Sequence, residues 1–159
     1  NTPESIAFLK ELYDRRLPED ISARMRLCES LVQFNDERGL VEALEVMSDS
    51  FAGPTTGPDG VALKKDVKLQ EEKRKRSEYV LRRASNDMIL EVVAEQINAD
   101  INNDSNIQTC RAILVFLRST GTLPEEIEQS VRQWATHADP SLKSEASEFL
   151  ETRGILPQK

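Results

Sequence analysis

Apolar side chains recur along this chain of 159 residues at steps of three and four. That spacing marks helices with one apolar stripe. Residues 20–47 show it most clearly. Leu27, Leu31 and Phe34 form one stripe, and Leu40, Ala43, Leu44 and Met47 form the next. The turn between them, Asn35-Asp36-Glu37, is too short to let the helices part, so they are expected to lie antiparallel.

The flanking segments repeat the theme. Thr2-Pro3-Glu4 suits a helix start, with a capping hydroxyl, a proline at the first position and an acid at the positive end of the dipole. Its stripe is Ile6, Leu9, Leu12 and Tyr13, and Leu17-Pro18 ends it. Ser85-Asn86-Asp87 reads as a turn and cap before the stripe Leu90, Val93, Ala94, Ile97 and Ile101. Residues 102–106 are a polar break, and Ser105 and Gln108 have capping-box spacing. Residues 112–117, AILVFL, are apolar all round. They fit a helix packed on several sides, with a strand as the alternative. Gly121 ends that element, and Thr122, Pro124 and Glu125 open the next, whose stripe is Ile127, Val131 and Trp134. Asp139-Pro140 opens the last helix, with Leu142, Ala146, Phe149 and Leu150 on its stripe and Gly154 at its C-terminus.

Two stretches break the pattern. Residues 48–60, SDSFAGPTTGPDG, place Gly53, Pro54, Gly57, Pro58 and Gly60 close together and read as a loop, functional or disordered. Residues 61–84 have a helical composition, yet no apolar residue occurs from Gln70 to Glu78. A helix there is expected to project or to lie in solvent. Apolar residues return at Tyr79, Val80, Leu81 and Ala84. The organisation expected is one domain over 1–159 with a loop and charged insertion at 48–78.

Composition agrees with a helical protein large enough for its own core, since aromatics make up only 5% and charged residues 31%. The net charge of −7 argues against general binding to nucleic acid or to an anionic membrane. Cys28 and Cys110 both sit within helical segments and read as small buried residues, not as a disulfide framework. No run approaches the roughly 18 apolar residues of a membrane span, and no signal-peptide pattern is present. The chain opens on Asn1, not Met, which implies a removed leader or a trimmed upstream segment. Compartment therefore stays open, with cytoplasm or nucleus favoured.

Residues 139–150, DPSLKSEASEFL, resemble the second helix of a HEAT-like repeat. That pattern has Asp-Pro, an aliphatic, a basic residue, an alanine and a leucine, met here by Asp139, Pro140, Leu142, Lys143, Ala146 and Leu150. The same template falls on Asp20, Ile21, Ala23, Arg24, Leu27 and Leu31, with the proline and the alanine replaced. Near Asn106 it fits only through Ile107, Cys110, Ile113 and Leu117, and near Tyr79 it does not fit. The resemblance implies an all-α fold of stacked antiparallel helix pairs, a HEAT-like α-solenoid of about four pairs. An irregular helical bundle is the alternative. It further implies a non-catalytic scaffold that binds another protein on its curved surface, with residues 24–33, 75–83, 106–118 and 141–151 facing the concave side.

Charge sharpens one region. Residues 64–83 hold nine of the 21 Lys and Arg but four of the 28 acids, a net of +5, so the rest of the chain carries −12. Lys64, Lys65, Lys68, Lys73, Arg74, Lys75 and Arg76 are the candidate partner-binding set. They suit an acidic partner, a nuclear-import receptor or, as a second reading, nucleic acid. No aromatic residue stands between Lys64 and Glu78 to stack on bases. The plain alternative is a solvated helix braced by Glu71–Lys75 and Glu72–Arg76.

Other candidates are weaker. Asp100, Asn102, Asp104 and Asn106 resemble the start of a calcium loop, but Ser105 and Arg111 replace the glycine and the glutamate it needs. Residues 103–105 form a glycosylation sequon. His137 is the only histidine, too few for a metal site, and a Cys–His nucleophilic pair with Cys28 or Cys110 lacks an electropositive setting. The glycine-rich loop has no Gly-Lys-Ser/Thr ending. The pair Glu125–Glu126 suits a helix start. The expectation is therefore no enzyme, no cofactor and no metal.

Overall fold

A computed structural model describes residues 2–15, 19–100 and 106–155. Among the described residues the fold is all-α, with eight helices and no strand. They are α1 (Pro3–Arg15), α2 (Ile21–Gln33), α3 (Arg38–Ser50), α4 (Lys64–Leu81), α5 (Asn86–Asp100), α6 (Ile107–Leu117), α7 (Glu125–Trp134) and α8 (Pro140–Thr152). The chain forms two compact units, Asn1–Ser85 and Asn86–Lys159.

The first unit is built on α2 and α3, with α4 packed against both and α1 against α2. Asp20 caps α2 by accepting a hydrogen bond from the Ala23 N–H at 2.8 Å. Leu27, Cys28 and Leu31 are buried together with Met25 and Val32. The helix ends at Asn35, whose φ of 59° is left-handed. The Asp36 N–H then reaches the Leu31 carbonyl at 2.9 Å, and the Asn35 N–H reaches that of Val32 at 2.9 Å. This is the Schellman arrangement, which satisfies carbonyls the helix end leaves open.

Helix α3 returns against α2 so closely that a Cβ at Gly39 would lie 2.4 Å from the Cys28 carbonyl oxygen. Only glycine fits there. Leu40, Ala43, Leu44 and Met47 are all buried, as their spacing predicts. The ion pair of Arg24 with Glu42 joins the two helices, and Glu42 is buried. α3 runs on through Ser50, three residues into the predicted loop. Its end can be polar and buried because the Ser50 hydroxyl donates to the Met47 carbonyl at 2.5 Å.

Helix α1 differs from expectation. Ser5 N–H does bond the Thr2 hydroxyl, at 3.2 Å. Yet no side chain of α1 is buried, and Leu12 of the predicted stripe is exposed. With α2 as its main neighbour, only a narrow line formed by Ile6, Leu9 and Tyr13 is half-covered. The predicted end at Leu17-Pro18 lies outside the described residues.

In the second unit α5 packs on α6 and α7, and α8 packs on both of those. The buried face of α5 is Met88, Ile89, Val92 and Val93, and only Val93 belongs to the predicted stripe. Apolar residues surround this helix, so periodicity alone does not select the face that packs. Ile101 and the polar break to Ser105 lie outside the described residues, as does most of the calcium-like loop. The cap of α6 is Asn106, which accepts from the Thr109 N–H at 3.3 Å. Residues 112–117 are helical, with Ala112, Ile113, Leu114, Phe116 and Leu117 buried.

That helix stops at Leu117, not at Gly121, because Arg153 closes its end. The guanidinium of Arg153 donates to the carbonyls of Leu117, Thr120 and Gly121 and stacks on Phe149. The box predicted for Thr122 and Glu125 does not form. Pro124 is the N-cap of α7 without a side-chain bond, and Glu125, Glu126 and Glu128 supply the negative charge instead. Asp139 caps α8 through the Leu142 N–H at 2.9 Å. Leu142, Ala146, Phe149 and Leu150 are buried, and Gly154 ends the helix at a φ of 67°. The Ile155 N–H returns to the Leu150 carbonyl at 2.9 Å, a second Schellman end. A forked pair between Arg111 and Glu145, with its shortest contact at 2.6 Å, ties α6 to α8.

Candidate interaction surface

The stretch between α3 and α4 is ordered. Its glycines and prolines exclude a helix and build a narrow hairpin over residues 55–63. The Gly57 N–H bonds the Val61 carbonyl at 2.9 Å, and the Leu63 N–H bonds that of Thr55 at 3.0 Å. Thr56 and Ala62 form an isolated antiparallel bridge between them. The turn is Gly57-Pro58-Asp59-Gly60, closed by the Gly60 N–H on the Gly57 carbonyl at 3.0 Å. Pro58 presets the second position, the Asp59 carboxylate accepts from the Val61 N–H at 3.1 Å, and Gly60 takes a φ of 76°. A ribbon this small buries little of itself. Val61 is 62% exposed and Leu63 is 46% exposed.

Helix α4 begins at once after Leu63, an N-cap with no side-chain bond. Its first two positions are Lys64 and Lys65, at the end where the helix dipole favours acids. Asp66 is the one acid of that turn. Val67 and Leu69 are exposed, as are Lys64, Lys65 and Lys68. Residues 61–69 thus present four aliphatic side chains and three lysines to solvent. Their spacing carried a signal: residues two apart, such as Val67 and Leu69, fall about 200° apart on a helix and cannot share one buried face.

The other half of α4 is bound to the unit, contrary to the expectation that the polar run lies free. Ser77 is fully buried, its hydroxyl 3.9 Å from the Met25 sulfur, and Val80 and Leu81 follow it inward. A small polar residue lets the helix approach α2 where an apolar stripe is missing. Arg74 donates to the Ser50 hydroxyl at 3.2 Å and to the Ser50 carbonyl at 3.1 Å, and lies 4.8 Å over the Phe51 ring. It therefore closes the negative end of α3. Gln70 reaches the Gly53 carbonyl at 3.2 Å, and Arg83 pairs with Glu29 at 2.9 Å.

The candidate basic set consequently divides. Lys64, Lys65, Lys68 and Lys75 are exposed, Lys73 is half-buried, Arg76 is half-buried beside Glu72 at 3.8 Å, and Arg74 is committed to α3. Lys64, Lys68 and Lys75 fall within about 40° of one another on a helix of 3.6 residues per turn, so they line one face. Every exposed large apolar side chain among the described residues belongs to the first unit: Phe8 and Leu12 on α1, and Val61, Leu63, Val67, Leu69 and Tyr79 on the hairpin and α4. The lysines were legible in the sequence. The aliphatic residues between them were not singled out.

Of the remaining candidates Cys28 is buried and Cys110 half-buried, while the sequon and most of the calcium-like loop lie outside the described residues. Burial pushes the Cys28 thiol up to about 12, although Arg24 nearby pulls it down, so it holds no thiolate near neutrality. His137 sits in the turn before α8, where its Nδ1 accepts the Asp139 N–H at 3.0 Å. A cleft of about 820 Å³ in the second unit is lined by Arg118, Leu123, Glu128, Glu148, Phe149 and Arg153, among others. Two of its charges are already engaged, Arg153 by backbone carbonyls and Glu128 by Arg132 at 2.9 Å. Among the described residues no helix is long and apolar enough to cross a membrane. Compared with models of protein families, with curated proteins and with solved structures, the chain matches none.

Proposed function

We propose that this chain is a non-catalytic interaction module that binds another protein, with the hairpin and the exposed half of α4 as its contact surface. The observation that carries this is the concentration of exposed apolar side chains beside unpaired lysines on one ordered projection. Soluble domains cover such patches unless they are used. Protein interfaces combine an apolar centre with charges that orient the partner.

A HEAT-like arrangement is part of the proposal. Within the first unit α1 packs on α2, α3 on α4, and α2 on α4. Within the second, α5 packs on α6, α7 on α8, α5 on α7 and α6 on α8. Helix pairs whose first helices meet and whose second helices meet are what stacked repeats require, and the second unit has both contacts, whereas in the first unit α3 packs on α2 as well as on α4. The two segments that carry the resemblance also start alike, each from an aspartate N-cap with a ψ near 120°. Support remains at the level of architecture, and architecture alone does not define a partner.

The test is affinity capture with the purified full chain, followed by titration of each recovered protein. The proposal expects one or more proteins that bind saturably. Recovery of nothing that saturates contradicts it. The second reading, nucleic-acid binding through the same lysines, expects affinity that falls steeply with salt. The aliphatic side chains among those lysines favour a protein.

A further inference from the structure

Resting on that reading, we infer that the partner engages residues 61–69 with an acidic amphipathic helix, glutamates or aspartates flanking a short aliphatic stripe. Three observations converge on this chemistry. First, Val61, Leu63 and Val67 are exposed on an ordered scaffold, not on a chain end, so an apolar surface is held in place for something to cover. Second, the exposed Lys64, Lys65 and Lys68 alternate with them along the chain and make no ion pair among the described residues, while Asp66 is the only acid in the nine residues. The complement of that pattern is aliphatic and acidic. Third, the start of α4 has no side-chain cap and carries lysines at its first two positions, a departure that only α3 resembles, where the N-cap Glu37 makes no side-chain cap bond and Arg38 follows. α2, α6 and α8 are capped by Asp20, Asn106 and Asp139, and α7 carries three glutamates in its first turn. α4 has an apolar N-cap followed by two lysines. Asp66 is the one acid of that turn, and a carboxylate brought by the partner adds to it at the end where the dipole favours negative charge.

The same features argue against other occupants. Nucleic acid would leave the aliphatic residues unused, and no aromatic side chain lies between Lys64 and Glu78. An anionic bilayer would meet, around this local patch of net +2, a chain whose other residues carry −9. Departures from local folding rules that bring no gain in stability mark functional places. Here the departures are of one kind: each would be repaired by acid and aliphatic groups from outside.

The experiment uses the full chain and a fluorescent synthetic helix of glutamates and leucines at i, i+3, i+4 and i+7, read by anisotropy. A peptide of the same charge with serine for leucine is the control. Phosphatidylserine vesicles and a duplex DNA are titrated alongside. The expected result is saturable binding of the leucine peptide. Val61→Ser with Leu63→Ser weakens it about tenfold or more, and so does Lys64→Glu with Lys65→Glu, since an anchor and a charge pair are each worth on the order of 1.4 kcal/mol or above. Equal binding of the serine peptide, no binding of either peptide, or tighter binding to vesicles or DNA than to the leucine peptide each overturns the inference. Thermal melts of both variants show that they are folded. If a captured protein binds saturably and both double variants leave its affinity unchanged, this inference and the proposed contact surface both fall, while the reading of the chain as a protein-binding module stands.

Discussion

The crossing of α2 and α3 and the start of α4 belong to one compact unit, yet they follow opposite rules. At the crossing four local choices serve folding. Asp20 caps, Asn35 turns left-handed, Gly39 makes room, and the buried Glu42 has its cation. At the start of α4 an apolar N-cap meets two lysines, and aliphatic side chains face water. The difference teaches where this sequence is shaped by stability and where it is shaped by something else. It also divides α4 internally. The half carrying Arg74, Ser77, Val80 and Leu81 belongs with the crossing, and the half carrying Lys64, Lys65 and Lys68 does not.

The comparison can be broken first at the crossing. Arg24→Ala leaves Glu42 buried without its cation and is expected to cost about 3–5 kcal/mol in chemical denaturation. Gly39→Ala comes next. In an open helix that change stabilises by about 1 kcal/mol. Here the added methyl meets the Cys28 carbonyl and Leu31, and the expected result is a loss of about 1–3 kcal/mol. A Gly39→Ala protein as stable as the parent would place the close approach elsewhere.

Arg74 tests the division of α4. Arg74→Ala removes two hydrogen bonds to Ser50 and the stacking on Phe51, and an expected loss of about 2 kcal/mol is read from the melt. Lys75→Ala, one position away on the exposed face, is expected to change stability by less than about 0.5 kcal/mol.

A smaller effect comes from acid. The side chain of Arg38 holds the Asp36 carboxyl below its usual range, against the opposing effect of burial. A depressed folded-state value means stability that is present above the ordinary carboxylate range of about pH 4 and is lost as pH falls through the lowered value. Asp36→Asn should remove about 1 kcal/mol near neutral pH and leave a protein less sensitive to acid below about pH 4. Parallel pH–stability curves for the two proteins would show that Asp36 carries no such linkage.

Much of the fold was legible. Stripes with clear spacing, such as Leu40, Ala43, Leu44 and Met47, became core, because periodicity reports burial directly when one side of a helix is polar. It failed where that contrast is missing. α5 is apolar on several sides and packed on another face, and α1 shows a stripe that its few neighbours do not cover. The polar run before Tyr79 hid a packed helix because Ser77 and Arg74 take the places that apolar residues usually hold. Such contacts depend on partners distant in sequence, Met25 and Ser50, which no local pattern reveals. Of the candidate surface, the lysines were evident from charge alone. Their division into exposed and structural members, and the aliphatic residues beside them, required the ordered hairpin to be seen.

One paired measurement tests the central claim that the start of α4 is kept for a partner at no benefit to the fold. Lys64→Glu with Lys65→Glu places acids at the positive end of the helix, so denaturation should show unchanged or raised stability, by about 0.5–1 kcal/mol. The same protein should lose its binding to an acidic, aliphatic partner segment. A variant that is both stable and unable to bind is the result this account expects. A variant that is clearly destabilised, or that binds as the parent does, would contradict it.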